Sequence, residues 1–183
     1  MSAREAMLAR RSRSRVVGHD APDRDELLEL LSAAATVADH GRLIPWRVIE
    51  IRGDARLDLG RALAKADGKS GVSDKPLRAP LLLAVVASRG RTSKAPVWEQ
   101  DATAAGVAHA LSLLLDEAGW GVFWRTGDAT RSKPVRKVHG LGPHEELLGW
   151  LYVGRPDGRS SAKPRKPMDV SSRLTALGRT RAS

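Results

Sequence analysis

Cysteine is absent from this chain. That excludes disulfides, thiolate metal sites and a cysteine nucleophile, and it suits a reducing, cytoplasmic compartment. No stretch approaches the roughly 20 apolar residues that a bilayer span requires. Residues 1–8 carry early arginine and lack the apolar stretch of a secretory leader. His19, His139 and His144 have no metal-ligand spacing. A Ser-His-Asp or paired-carboxylate pattern is also missing. Aromatic residues are only 4% of the total, and five of them are tryptophan.

Positive charge, by contrast, is abundant. The formal net charge is +10, but from Arg155 onward eight Lys and Arg face only Asp157 and Asp169. Most of the surplus therefore lies in a Ser/Pro/Arg/Lys-rich tail, not along the folded body. A dedicated nucleic-acid surface would need a basic stripe on an ordered face, so nucleic acid is not an expected partner. The division expected is a folded domain over residues 1–160 and a basic tail over 161–183, wrapping a partner subunit.

With 183 residues, 42% of them hydrophobic, one domain with a sizeable core is expected. Leu27, Leu28, Leu30 and Leu31 set a helical stripe over residues 23–35. Alternation over 46–51 predicts a half-buried strand, and Leu57, Leu59 and Leu63 predict a helix over 54–66. The apolar run 81–87 reads as a strand buried on both faces. Residues 98–118 form the longest helical segment, ended by Gly119 and apolar nearly all round, which calls for cover from a second subunit. Strands follow over 121–124 and 147–153, separated by a short helix over 133–139. No Gly-x-Gly-x-x-Gly turn follows the first strand, so the doubly wound dinucleotide fold lacks its fingerprint. A mixed α+β sheet wrapped by helices fits better.

Two basic clusters are candidates for phosphate binding. Arg10-Arg11-Ser12-Arg13-Ser14-Arg15 supplies guanidinium forks and hydroxyls, and Trp124-Arg125-Thr126-Gly127 adds an indole wall. His40, beside Asp39 in a turn, reads on its own as a local hydrogen-bonding residue. His109 reads as a satisfied core or interface histidine, and Trp98, Trp120 and Trp150 as packing residues.

These clusters, the second read together with the long alanine-rich helix and Gly119-Trp120-Gly121-Val122-Phe123 that lead into it, resemble the flavin-dependent nitroreductase family when joined to two further segments. The first is Ala38-Asp39-His40 leading to Pro45-Trp46-Arg47; the second is Leu148-Gly149-Trp150-Leu151-Tyr152-Val153-Gly154-Arg155-Pro156. The likeness is strongest to the small, single-domain NAD(P)H nitroreductases and runs from about Ala6 to Pro156. It implies a nitroreductase-like α+β fold, a central, mainly antiparallel sheet flanked by helices, in a domain-swapped homodimer with FMN at the subunit interface. It assigns FMN binding to Arg10, Arg11, Ser12, His40, Trp124, Arg125 and Thr126, and the region 114–119 to the nicotinamide cofactor.

The implied activity passes hydride from NAD(P)H through FMN to a nitroaromatic, quinone or similar acceptor by a ping-pong mechanism. The chemistry belongs to the flavin N5, so no catalytic side chain is required. Arg13 or Arg15 would sit at the N1/O2 edge. Thr36 stands where this subgroup carries arginine, four residues before the histidine, and the segment between Ala66 and Pro80 is short. Two other functions compete: a flavin-binding protein without turnover, and a polyanion binder acting through the tail.

Overall fold

The computed structural model describes residues 2–90, 94–158 and 168–177. Of the basic tail, only 168–177 is described; the rest of that expectation lies outside the described residues. Five helices and five strands follow in the order α1 (Ala3–Ala9), β1 (Val16–Val17), α2 (Arg24–Ala34), β2 (Trp46–Arg52), α3 (Ala55–Ala66), β3 (Leu81–Ser88), α4 (Val97–Glu117), β4 (Gly121–Arg125), α5 (Lys133–Val138) and β5 (Glu145–Pro156).

All paired strands are antiparallel, in the order β1-β5-β3-β2, with β4 on the other side of β5. The apolar run Leu81–Ser88 is the central strand, and its first seven residues are buried. Its alternation feeds two cores. Leu81, Leu83 and Val85 meet α2 and α4, whereas Leu82, Ala84 and Val86 face Leu59, Leu63 and Val135 of α3 and α5. Each buried leucine contributes about 2 kcal/mol. This gives a helix, sheet, helix sandwich of the α+β class.

On β5 the alternation is inverted by a bulge. The register steps from Val85↔Gly149 to Val86↔Leu147, leaving Leu148 unpaired. Leu147, Trp150 and Tyr152 consequently share one core although 147 and 150 are an odd number apart. A strict period of two cannot reveal this from sequence.

Helix ends follow local chemistry. Ser2 and Glu5 form a capping box on α1, and the Asp23 carboxylate accepts from the Glu26 N–H on α2. α1 and β1 had no clear periodicity in the sequence. α1 packs on α4, and β1 pairs with the end of β5.

At the far end of the sheet, the Arg47 fork grips Glu145 with Nε–Oε1 2.6 Å and Nη2–Oε2 2.8 Å. It holds the Glu145 carboxyl at about 2, against an ordinary 4.5. Nearby, His139 Nδ1–H donates to the Val135 carbonyl at 2.8 Å, and Nε2 accepts from Trp150 Nε1–H at 3.0 Å. Burial pushes this imidazole below its ordinary 6.5; the Val135 bond opposes the shift, and the Arg47 charge adds to it.

Both groups make stability sensitive to acid. The unfolded chain takes up a proton at His139 that the folded ring refuses, so that contribution is complete above about pH 6.5 and declines below it. The Glu145 contribution is complete above pH 4.5 and is lost as pH falls towards about 2. Chemical denaturation from pH 8 to pH 3 should therefore show stability falling in two stages. His139→Gln should remove the upper stage and Glu145→Gln the lower.

Candidate functional site

The two basic clusters, far apart in sequence, lie side by side. α1 ends at Arg10, whose N–H donates to the Ala6 carbonyl, and the chain then turns along β4. Arg13 N–H donates to the Val122 carbonyl at 2.8 Å, and Ser12 forms a parallel bridge with Val122. Backbone bonding thus sets Arg10, Arg11 and Ser12 beside the strand that continues into Trp124, Arg125 and Thr126. Close approach here needs glycine: a Cβ on Gly121 would lie 3.1 Å from Val16 Cγ1 and 3.3 Å from Arg13 Cβ.

The arginines are not equivalent. Arg11 Nη1 donates to the carbonyls of Leu8, Ala9 and Arg10 at 2.6, 2.9 and 3.0 Å, closing the end of α1. Its N–H reaches Asp116 on the last turn of α4 at 3.5 Å. Arg11 is thus a helix cap as well as a candidate ligand, which its sequence context does not reveal. Among the described residues, the Arg10 guanidinium and the exposed Ser12 hydroxyl have no hydrogen-bond partner. This cationic fork beside a neutral hydroxyl suits a phosphate monoester.

Trp124 and Arg125 point to opposite faces of the sheet. Trp124 packs on the α2/α4 core with its ring edge-on to His109, centroids 5.0 Å apart at 76°. Arg125 lies over Phe123 and Tyr152 on the other face, 4.7 and 5.1 Å from their centroids. Thr126 follows in an exposed position. Among the described residues, Trp124 Nε1 and Arg125 Nε are buried donors without a hydrogen-bond partner, a costly arrangement.

His40 lies elsewhere. It opens a 3-10 turn, His40–Arg42, and its Nδ1 is 2.7 Å from Glu99 Oε2 on the first turn of α4. Arg11 meets the last turn of that helix, so one chain does not bring His40 to Arg10–Ser12. A groove of about 380 Å³ lies beside His40, lined by Val37, Trp98, Thr103 and Gly106. One packing expectation changes: Trp98 is 68% exposed. His109 is exposed on the outer face of α4, which leaves its reading as an interface histidine. Trp120 and Trp150 are buried as expected.

Gly149, in the β5 bulge, makes room for Trp124. Its φ is +141°, and a Cβ there would sit 2.4 Å from the Arg125 carbonyl oxygen and 2.7 Å from Trp124 Nε1. Gly149→Ala should cost about 1–3 kcal/mol through backbone strain and displace the indole. A lowered denaturation midpoint with altered Trp fluorescence is the expected result.

Comparison with known proteins agrees with this architecture. The Nitroreductase family pattern matches residues 7–155. The chain is 32% identical over 175 residues to "Putative NAD(P)H nitroreductase YdjA" of Escherichia coli K12, covering 91% of this chain and 95% of that protein. The fold superposes on a nitroreductase-like family protein from Bacillus cereus with a TM-score of 0.79 and 22% identity, over 97% of both chains. A TM-score of 0.75 at 20% identity relates it to the FMN and NADPH-dependent nitroreductase NfnB from Sphigopyxis sp. strain HMH, over 97% of this chain and 100% of that one. On the sequence match across the sheet, α4 and both basic clusters, this chain belongs to the nitroreductase family of oxidoreductases.

Proposed function

We propose that this protein is an FMN-dependent NAD(P)H oxidoreductase that reduces nitroaromatic, quinone or similar acceptors as a cytoplasmic homodimer. The observation that carries this reading is the juxtaposition of Arg10 and Ser12 with the Trp124–Thr126 segment, all on a chain of this family. Arg10 and Ser12 would hold the phosphate and Trp124 would flank the ring. Arg11 would add charge while anchoring the loop to α4. When bound, FMN supplies a ring that takes hydride from NAD(P)H and gives it to the acceptor. Both partners would use one open face in turn, which produces ping-pong kinetics.

α4 supports the dimer reading. Glu99, which holds His40, and Asp116, which holds Arg11, are about 25 Å apart at roughly 1.5 Å rise per residue. A second copy lying antiparallel along α4 sets the His40 of one chain near the Arg10 of the other. The outer face of α4 suits such packing: Ala105 and Leu113 are apolar and partly exposed, and Ala102 and Gly106, which line the groove beside His40, would lie at the edge of that seam. Met168, Val170, Leu174 and Leu177 are likewise exposed in the single chain, consistent with a C-terminal segment that covers the partner.

Purified protein should be yellow and dimeric by light scattering, with NAD(P)H oxidation accelerated by added quinone. Each charge-assisted contact contributes about 1.5–3 kcal/mol. Arg10→Ala should therefore weaken FMN binding about tenfold or more, as read by flavin fluorescence titration. Unchanged affinity would remove Arg10 from the phosphate site.

A further inference from the structure

Each hydride delivered to a quinone or a nitro group must be matched by one proton. We propose that His40, oriented by Glu99, donates that proton to the acceptor bound in the adjoining groove. This inference rests on the proposed function above.

The geometry is that of a histidine–carboxylate dyad. Nδ1 lies 2.7 Å from Glu99 Oε2, and the side chains are 60% and 27% exposed. Among the described residues Nε2 has no partner. The carboxylate therefore fixes which nitrogen is committed to the protein and which is presented outward. The groove beside the ring, of about 380 Å³, has the size of a small-molecule cleft. Exposed Trp98 gives it a flat apolar wall, and Thr103 Oγ1–H, 3.3 Å from the Ala38 carbonyl, fastens α4 to the strand of chain carrying the histidine.

The turn that holds His40 is constrained beyond ordinary loop needs. Gly41, Arg42 and Ile44 all have positive φ, at 75°, 53° and 48°. For a β-branched residue such as Ile44 this conformation is an outlier, and such strain concentrates at functional sites. The Asp39 carboxylate stabilises it, accepting from the Leu43 and Ile44 N–H groups at 3.2 and 2.8 Å. The charged groups around His40 are thus Glu99 from α4, and Asp39 and Arg42 from its own turn. Asp39 is occupied by backbone, leaving Glu99 as the counter-ion.

The step balances. In the imidazolium form Nδ1–H bonds to Glu99 while Nε2–H faces the acceptor oxygen. As hydride arrives, the Nε2–H bond breaks and an O–H bond forms. A quinone plus hydride plus this proton gives a hydroquinone; a nitro group plus the same pair gives a nitroso group and water. His40 is left neutral with Nδ1–H still on Glu99, and solvent restores the proton to Nε2.

The test separates the two half-reactions by stopped-flow absorbance of the flavin-loaded protein, with NADPH and then 1,4-benzoquinone. In His40→Gln, re-oxidation by the quinone should slow on the order of 10²-fold relative to that variant's own reduction by NADPH, the typical contribution of a positioned acid. Added imidazole should restore part of the rate. Independently of turnover, ¹⁵N-histidine NMR of the flavin-free protein should show neutral His40 as the Nδ1–H tautomer, a preference that Glu99→Gln abolishes. Re-oxidation unchanged in His40→Gln would assign the proton to water and overturn the dyad, as would an Nε2–H tautomer in the wild type. Loss of flavin from His40→Gln at saturating FMN would make His40 a cofactor contact only, and overturns it too. A wild-type chain that binds no flavin overturns the proposed function and this inference together.

Discussion

The packing of α4 against the sheet is the constraint from which the arrangement of the site follows. Ala104, Val107, Ala108, Leu111 and Leu115 bury one side of the helix completely against β3 and its neighbours. Its length then acts as a ruler. Glu99 fixes the His40 turn at one end, and Asp116 receives the Arg11 backbone at the other. Along its middle His109 leans edge-on against Trp124. Three separate pieces of the candidate site are therefore referenced to one rigid element. The half-exposed outer face, made of small and apolar side chains, is the natural place for a second copy.

The charge of the body is largely committed. Arg47 to Glu145 and Arg89 to Asp101 are two-pronged pairs, and Arg136 ties the carbonyls of Glu145 and Gly142 together. Such partners also move titrations, as when Asp101 pushes the Arg89 guanidinium upward. Among the described residues Arg10 is one of a minority of arginines, with Arg4, Arg15, Arg42 and Arg173, whose guanidinium has no partner; what distinguishes it is its place beside Ser12 and β4.

Backbone exceptions complete the site. The β5 bulge at Gly149 inverts the side-chain alternation and opens the space that Trp124 occupies. The turn from Asp39 to Ile44 holds positive φ at a β-branched residue, stabilised by one carboxylate. Both features lie next to residues that the family resemblance singles out, and both trade local backbone comfort for side-chain placement.

Sequence periodicity alone determined the helices α2 to α5 and the strands β2 to β5, with boundaries displaced by up to three residues, because their hydrophobic patterns are set by burial on one or two faces. The family was legible too, through four ordered motifs. α1 and β1 were not, since neither has a pattern of its own and each forms by pairing with distant chain. Only the tertiary structure decided that Arg11 closes a helix, that Trp124 and Arg125 part to opposite faces, and that His40 binds Glu99 far from Arg10. Those outcomes depend on strand register, a bulge and the length of α4, which are properties of packing between segments and leave no local mark in the sequence.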